Sequence, residues 1–240
     1  MVRTQLDHFQ RAIPLVWDSF TVYALDLPGM GWSDIVPGAR YEEPDLRAAV
    51  VEFVTGLDLY DVTLAGESLG AALSLSTSID VNDRVRRVVA FNSYDYPSGV
   101  ERGNWFARLI ITSMRMPGLG RVFAEMENRP ILRGVMRGGF ADRHNLPEDF
   151  LAELRRSGSR PGYPTVARAI YRSLKGFIEV RRRYPDAKVP VTRSIAIRTG
   201  RVPRSASRWP ACWAASRRSC CPPRVTSPRS NARPRWPGSC

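Results

Sequence analysis

The sequence predicts an α/β fold with a parallel sheet, a helical insertion and an unstructured tail. Three observations carry this. Short β-branched runs alternate with helical periods over the first 91 residues, a pattern that requires a sheet covered by helices on both faces. Residues 97–185 then show mostly helical periods interrupted by Gly and Pro. Residues 193–240 hold 11 arginines, no acidic residue, 7 of the 19 prolines and all 4 cysteines.

The elements follow in order. Residues 4–17 read as an amphipathic helix, with Leu6, Phe9, Ile13 and Val16 on one face. Phe20–Leu25 reads as a strand, ended by the turn residues Asp26-Leu27-Pro28-Gly29-Met30-Gly31. A helix follows Pro44, which suits a first helical position, and keeps its period through Leu46, Val50, Phe53 and Leu57. Asp61–Ala65 is a strand, Gly66–Gly70 a tight turn and Ala71–Ile79 a helix. Val85–Phe91 is a third strand, and Val189–Thr192 begins a fourth. Within the insertion, Trp105–Met114, Pro147–Arg155 and Val166–Leu174 carry helical periods. The domain reading is therefore a core at 1–96, a helical cap at 97–185, a further core strand starting at 186–192, and a disordered tail at 193–240.

The net charge of +13 is unevenly placed. Residues 1–192 carry 25 basic and 23 acidic side chains, so the tail supplies nearly all the excess. An Arg-rich tail with Trp209, Trp213 and Trp236 suggests nucleic-acid binding. That reading defines the non-catalytic alternative, a binding protein with a basic tail. Cys212, Cys220, Cys221 and Cys240 lack paired metal-ligand spacing and a nearby histidine. No apolar run is long enough to span a bilayer, and the first residues lack a secretion signal's apolar stretch. The expectation is a cytoplasmic chain with no cofactor or metal and no membrane partner, and with nucleic acid not expected as a partner.

Gly66-Glu67-Ser68-Leu69-Gly70 fits G-x-S-x-G. A strand must turn sharply into a helix there, with the serine strained at the apex and small residues letting the two approach. The Leu69 N–H, at the new helix's start, points where an oxyanion would form.

At this point the chain resembles the α/β-hydrolase superfamily. Phe20 to Asp34 looks like its D-x-P-G-x-G-x-S strand and loop, and Val62 to Gly70 like its nucleophile elbow. The likeness covers about residues 4–192. It implies Ser68 as nucleophile, Leu69 N–H as one oxyanion donor, and a small ester-like acyl substrate. Serine at this position argues against the dehalogenase and epoxide-hydrolase branches, which use aspartate. The triad order is Ser, then Asp or Glu, then His. Asp95, after the third strand, is a possible acid, set against a plain turn aspartate. His8 and His144 read as surface or helix-end residues rather than the base.

The resemblance also implies a shortened N-terminus. Members carry three earlier strands and an H-G loop that supplies the second oxyanion donor. One of those strands lies between the strands at Phe20 and Asp61, so the two either pair directly here or leave the sheet broken. The tail invites a genetic reading. Back-translated and read out of frame, Val225–Cys240 permits G-H-F-A-A-L-E-R-P-A-E-V-A-R-L-L, and Ala196–Arg201 permits D-x-D-W-S-R. A ratio of 34 Arg to 2 Lys fits a GC-rich gene whose wrong frames stay open. On this reading the tail is a frameshift product and the chain, lacking base, usual acid and one oxyanion donor, is inactive.

Overall fold

The computed structural model describes residues 5–95, 129–137 and 146–194. The chain divides into two units, Met1–Val202 and Pro203–Cys240. The second, with the expectations placed on residues 195–240, lies outside the described residues, as do Trp105–Met114 and His144.

Helix α1 spans Glu43–Gly56, with Pro44 in its first turn. Asp45 accepts the Glu42 amide at 3.3 Å, which satisfies a donor at the helix start. Strand β1 (Val62–Glu67) runs into α2 (Leu69–Asp80), and β2 (Val85–Phe91) follows. Helices α3 (Arg129–Arg137), α4 (Glu148–Gly158), α5 (Tyr163–Arg172) and α6 (Leu174–Glu179) come next. A 3₁₀ segment, Val180–Asp186, leads to β3 (Val191–Ser194). The sheet is parallel, in the order β1-β2-β3. Val88 of β2 pairs with both Leu64 and Val191, so the expected fourth strand joins the sheet two residues later than its sequence suggests.

Helix α2 lies against β1, β2 and α1 and is buried from Leu69 through Ser78 except at Gly70. Its small side chains allow that approach. The hydroxyls of Ser76 and Ser78 turn back onto the carbonyls of Leu73 and Leu75, at 3.2 and 2.8 Å, so burial leaves neither unpaired. One apolar cluster joins Leu27, Met30, Tyr41 and Leu46 to Leu69, Ala72 and Leu73 of α2 and to Val166, Ile170, Tyr171 and Phe177. Helices α5 and α6 thus share the core with α1 and α2. A second cluster, Leu132, Leu151 and Leu154, holds α3 to α4.

Two expectations fail at the N-terminal end. Residues 5–17 form two short 3₁₀ turns, Leu6–Phe9 and Ile13–Leu15, instead of one amphipathic helix. Pro14 lacks an amide to donate, and of the apolar stripe Leu6 and Val16 are exposed and Phe9 and Ile13 only half-buried, so the stripe is not buried as a helix would need. Phe20–Leu25 is not a strand. Its apolar composition suits one, but a strand needs a neighbour for its ladder. Among the described residues β1 pairs only with β2, so the direct pairing of Phe20–Leu25 with β1 does not occur.

Candidate active site

The D-L-P-G-M-G-W-S loop is built around Asp26. Its carboxylate accepts the Leu6 amide at 2.8 Å and the Trp32 amide at 2.9 Å. The Ser33 hydroxyl donates to the Asp26 carbonyl at 2.6 Å. Gly31 has a φ of 48°, and a Cβ there would collide with the Asp26 carboxylate. The link from α4 to α5 clamps the same loop from above. The Arg160 guanidinium donates to the carbonyls of Ser33 (2.9 Å) and Gly29 (3.2 Å). The Trp32 indole donates to Glu153 of α4 at 2.7 Å, with Arg156 and Arg160 over its ring.

Ser68 sits where β1 turns into α2, with φ 53° and ψ −111°. This is left-handed backbone for a residue with a Cβ, a strain of about 1–3 kcal/mol that the surroundings must hold. They do so from β2. The Ser68 amide donates to the Phe91 carbonyl at 2.9 Å, and the Tyr94 amide donates to the Ser68 carbonyl at 2.9 Å. Gly66 is required by close approach, since a Cβ there would overlap the Gly70 carbonyl and the Ala71 nitrogen. Leu69 is the first residue of α2 and is buried. Its amide is among those that have no acceptor within the helix.

Asp95, four residues beyond β2, is fully buried. It is no surface turn residue. Arg193 of β3 lies 4.0 Å from its carboxylate, and Arg181 donates to its backbone carbonyl at 3.5 Å. Burial pushes the Tyr184 phenol far above its ordinary range, and the neighbouring Asp95 charge adds to the shift. Among the described residues no ion pair joins Asp95 to an imidazole.

His8 differs from its reading as a surface residue. Its side chain is 16% exposed, with Nδ1 3.8 Å from Oε2 of Glu67, the residue before Ser68. Its ring stands edge-on to Phe150 of α4, with centroids 5.1 Å apart. The sequence holds no local signal for this contact, because His8 and Glu67 meet only through the fold. The Arg160 clamp was missed for the same reason.

A sequence model of the alpha/beta hydrolase fold matches residues 2–109. The uncharacterized hydrolase YugF of Bacillus subtilis is 31% identical over 37% of this chain and 32% of its own length. A 2-hydroxy-6-oxo-2,4-heptadienoate hydrolase of Pseudomonas putida is 31% identical over 59% of this chain and 46% of its own. The chain thus spans about a third of the first relative's length and under half of the second's. Among solved structures, Cfl2 from Burkholderia cenocepacia superimposes with a TM-score of 0.69 at 21% identity, over 80% of this chain and 68% of that one. Sequence and fold point the same way: residues 2–109 match the alpha/beta hydrolase fold, and the chain is similar to these hydrolases in sequence and to Cfl2 in fold.

Proposed function

We propose that this chain carries the chemistry of a serine hydrolase acting on an ester or related small acyl compound, with Ser68 as nucleophile. The observation that carries the reading is the strained backbone of Ser68 between β1 and α2. Strain of this kind persists where the surroundings over-determine it, and here it lifts a hydroxyl out of the sheet end. Leu69 N–H is the proposed oxyanion donor. Attack by Ser68 on an acyl carbon would place negative charge on the carbonyl oxygen, where an amide at a helix start is favourable. The Pseudomonas putida relative is named for a small oxo acid, which is compatible with such a substrate. Residues 97–185 act in this reading as a cap that shapes the substrate site, supported by the Arg160 and Trp32 contacts to the loop.

Asp95 is the proposed acid only if an imidazole reaches it. Among the described residues no histidine follows Ser68 in the chain. Turnover is therefore expected on the order of 10⁴–10⁶ below that of a complete triad. The test compares the purified chain with Ser68→Ala on short acyl esters. Slow hydrolysis that disappears in Ser68→Ala supports the reading. Equal hydrolysis by both proteins removes it. Serine-dependent turnover at ~1–10³ per second would overturn the expectation of weak activity.

A further inference from the structure

We infer that Tyr94 positions the oxyanion donor: its amide holds the carbonyl end of the Ser68–Leu69 peptide, and its ring ties that hold to α6. The inference rests on the serine-hydrolase reading above. It starts from the geometry of one peptide unit. The described chain has no cis peptide bond, so the Ser68 carbonyl and the Leu69 N–H lie in one plane and point in opposite directions. Whatever fixes the carbonyl therefore aims the N–H.

That carbonyl is held twice. The Tyr94 amide donates to it at 2.9 Å and the Ala72 amide at 3.3 Å. The Ala72 bond is the first bond of α2 itself and comes with any helix start. The Tyr94 bond comes from outside the helix, from the turn after β2, and is the shorter of the two. A carbonyl has two lone pairs, so both donors are accommodated. Each also polarises the peptide and makes the N–H at its far end a stronger donor. The Leu69 N–H is thus aimed and strengthened before any substrate arrives.

The Tyr94 amide can aim the donor because its own turn is fixed. Phe91 and Tyr94 bracket Ser68, one on its amide and the other on its carbonyl. Asn92, between them at a φ of 43°, supplies the bend in a conformation that asparagine tolerates. The Tyr94 ring stands edge-on to Phe177 of α6, with centroids 5.7 Å apart. Phe177 is fully buried in the apolar cluster that also contains Leu69 and packs against Tyr94. On the other side, Asp95 is fully buried, with its carboxylate 4.0 Å from Arg193 of β3 and its carbonyl accepting from Arg181 at 3.5 Å. A shift of α6 would reach the Leu69 N–H in three steps: ring, amide and peptide plane.

The test uses the full chain and a fluorophosphonate probe. Ser68 Oγ bonds to phosphorus, fluoride leaves, the hydroxyl proton passes to solvent, and the phosphoryl oxygen takes the place of the acyl oxygen. Labelling at one fixed pH is followed by intact mass, with Ser68→Ala as the blank, and thermal melts show which variants are folded. Tyr94→Ala removes the ring anchor and is expected to slow labelling at least about tenfold. Tyr94→Phe, which keeps ring and amide, is expected to restore most of the rate. The direct variant replaces Tyr94 by its α-hydroxy acid, which keeps the ring and exchanges the N–H for oxygen. It is also expected to slow labelling at least about tenfold, and it decides if Tyr94→Ala is unfolded. The same exchange at Leu69 removes the oxyanion donor itself. In that background the exchange at Tyr94 is expected to have little further effect, because two changes acting on one donor do not add. A purely structural brace would slow labelling by the same factor in both backgrounds. An unaltered rate in the folded α-hydroxy variant, an equal drop in both backgrounds, or Tyr94→Phe no faster than Tyr94→Ala overturns the inference and leaves the Ser68 reading standing. Absence of Ser68 labelling in the unaltered chain overturns both.

Discussion

The Ser68 amide donates to the Phe91 carbonyl 2.9 Å away, so the nucleophile elbow is held in its strained turn by the end of the neighbouring strand. The strain at Ser68 and the pairing of β1 with β2 are therefore one arrangement. Weakening the strand end would relax the serine.

Ser68→Gly is expected to be more stable than Ser68→Ala by about 1 kcal/mol. Alanine keeps the unfavourable φ of 53°, whereas glycine adopts it freely and gives back part of the gain through the unfolded chain. Urea denaturation of the two variants measures the difference. Equal midpoints would show that the turn carries no strain.

The two glycines of G-x-S-x-G are expected to respond in opposite ways. Gly66→Ala forces a Cβ into the backbone of Gly70 and Ala71 and should cost about 2 kcal/mol or more. A Cβ at Gly70 meets nothing within 4 Å. Gly70→Ala lies in the first turn of α2 and should be neutral or up to ~1 kcal/mol stabilising. Melting temperatures of the two variants test this directly.

Arg160→Gln is expected to loosen the link between the loop and the α4–α5 connection. It removes charge-assisted bonds to two loop carbonyls at 2.9 and 3.2 Å. Each such bond contributes about 1.5–3 kcal/mol when its acceptor is left unpaired, and less where water replaces it. Hydrogen exchange of the amides of Gly29 to Ser33 should speed up in the variant, while those of β2 stay protected.

Asp80 gives the chain an acid-sensitive tie. Burial alone would raise its carboxyl, but hydrogen bonds from Arg183 and Arg47 hold it below the ordinary aspartate range. Arg183 donates at 2.6 Å, and Arg47 also reaches Glu43 at 3.0 Å. A depressed folded-state value means that the stabilisation is present above the unfolded value, near ~4, and is lost as pH falls through the folded one. Melting temperature should therefore fall more steeply below about pH 4 in the unaltered chain than in Asp80→Asn. Parallel acid limbs would contradict this.

The elements legible in the sequence are those that local chemistry decides. Pro44 and the Leu46–Val50 period mark α1, and the Gly66–Gly70 pattern marks the elbow because each residue type there answers a steric need. Phe20–Leu25 was misread because β composition says what suits a strand and nothing about whether a neighbour exists. Residues 5–17 failed similarly, since an amphipathic period forms a helix only where its stripe can be buried. At the site, Ser68 was visible through its motif. The burial of Asp95 against Arg193, and the meeting of His8 with Glu67, arise from contacts distant in the chain and leave no local mark.

The segment Phe20–Leu25 has a consequence for handling the protein. It is six uncharged residues of high β propensity, with Phe20, Val22 and Tyr23 exposed, beside no described strand partner. Such a stretch is a template for intermolecular cross-strand growth. The β1 edge offers a second unsatisfied row of amides and carbonyls among the described residues. Recovery of dispersed protein should fall as concentration rises. Replacing Val22 with lysine should raise the yield of monodisperse material, because a charge on the exposed face interrupts the growing stack and leaves the core untouched.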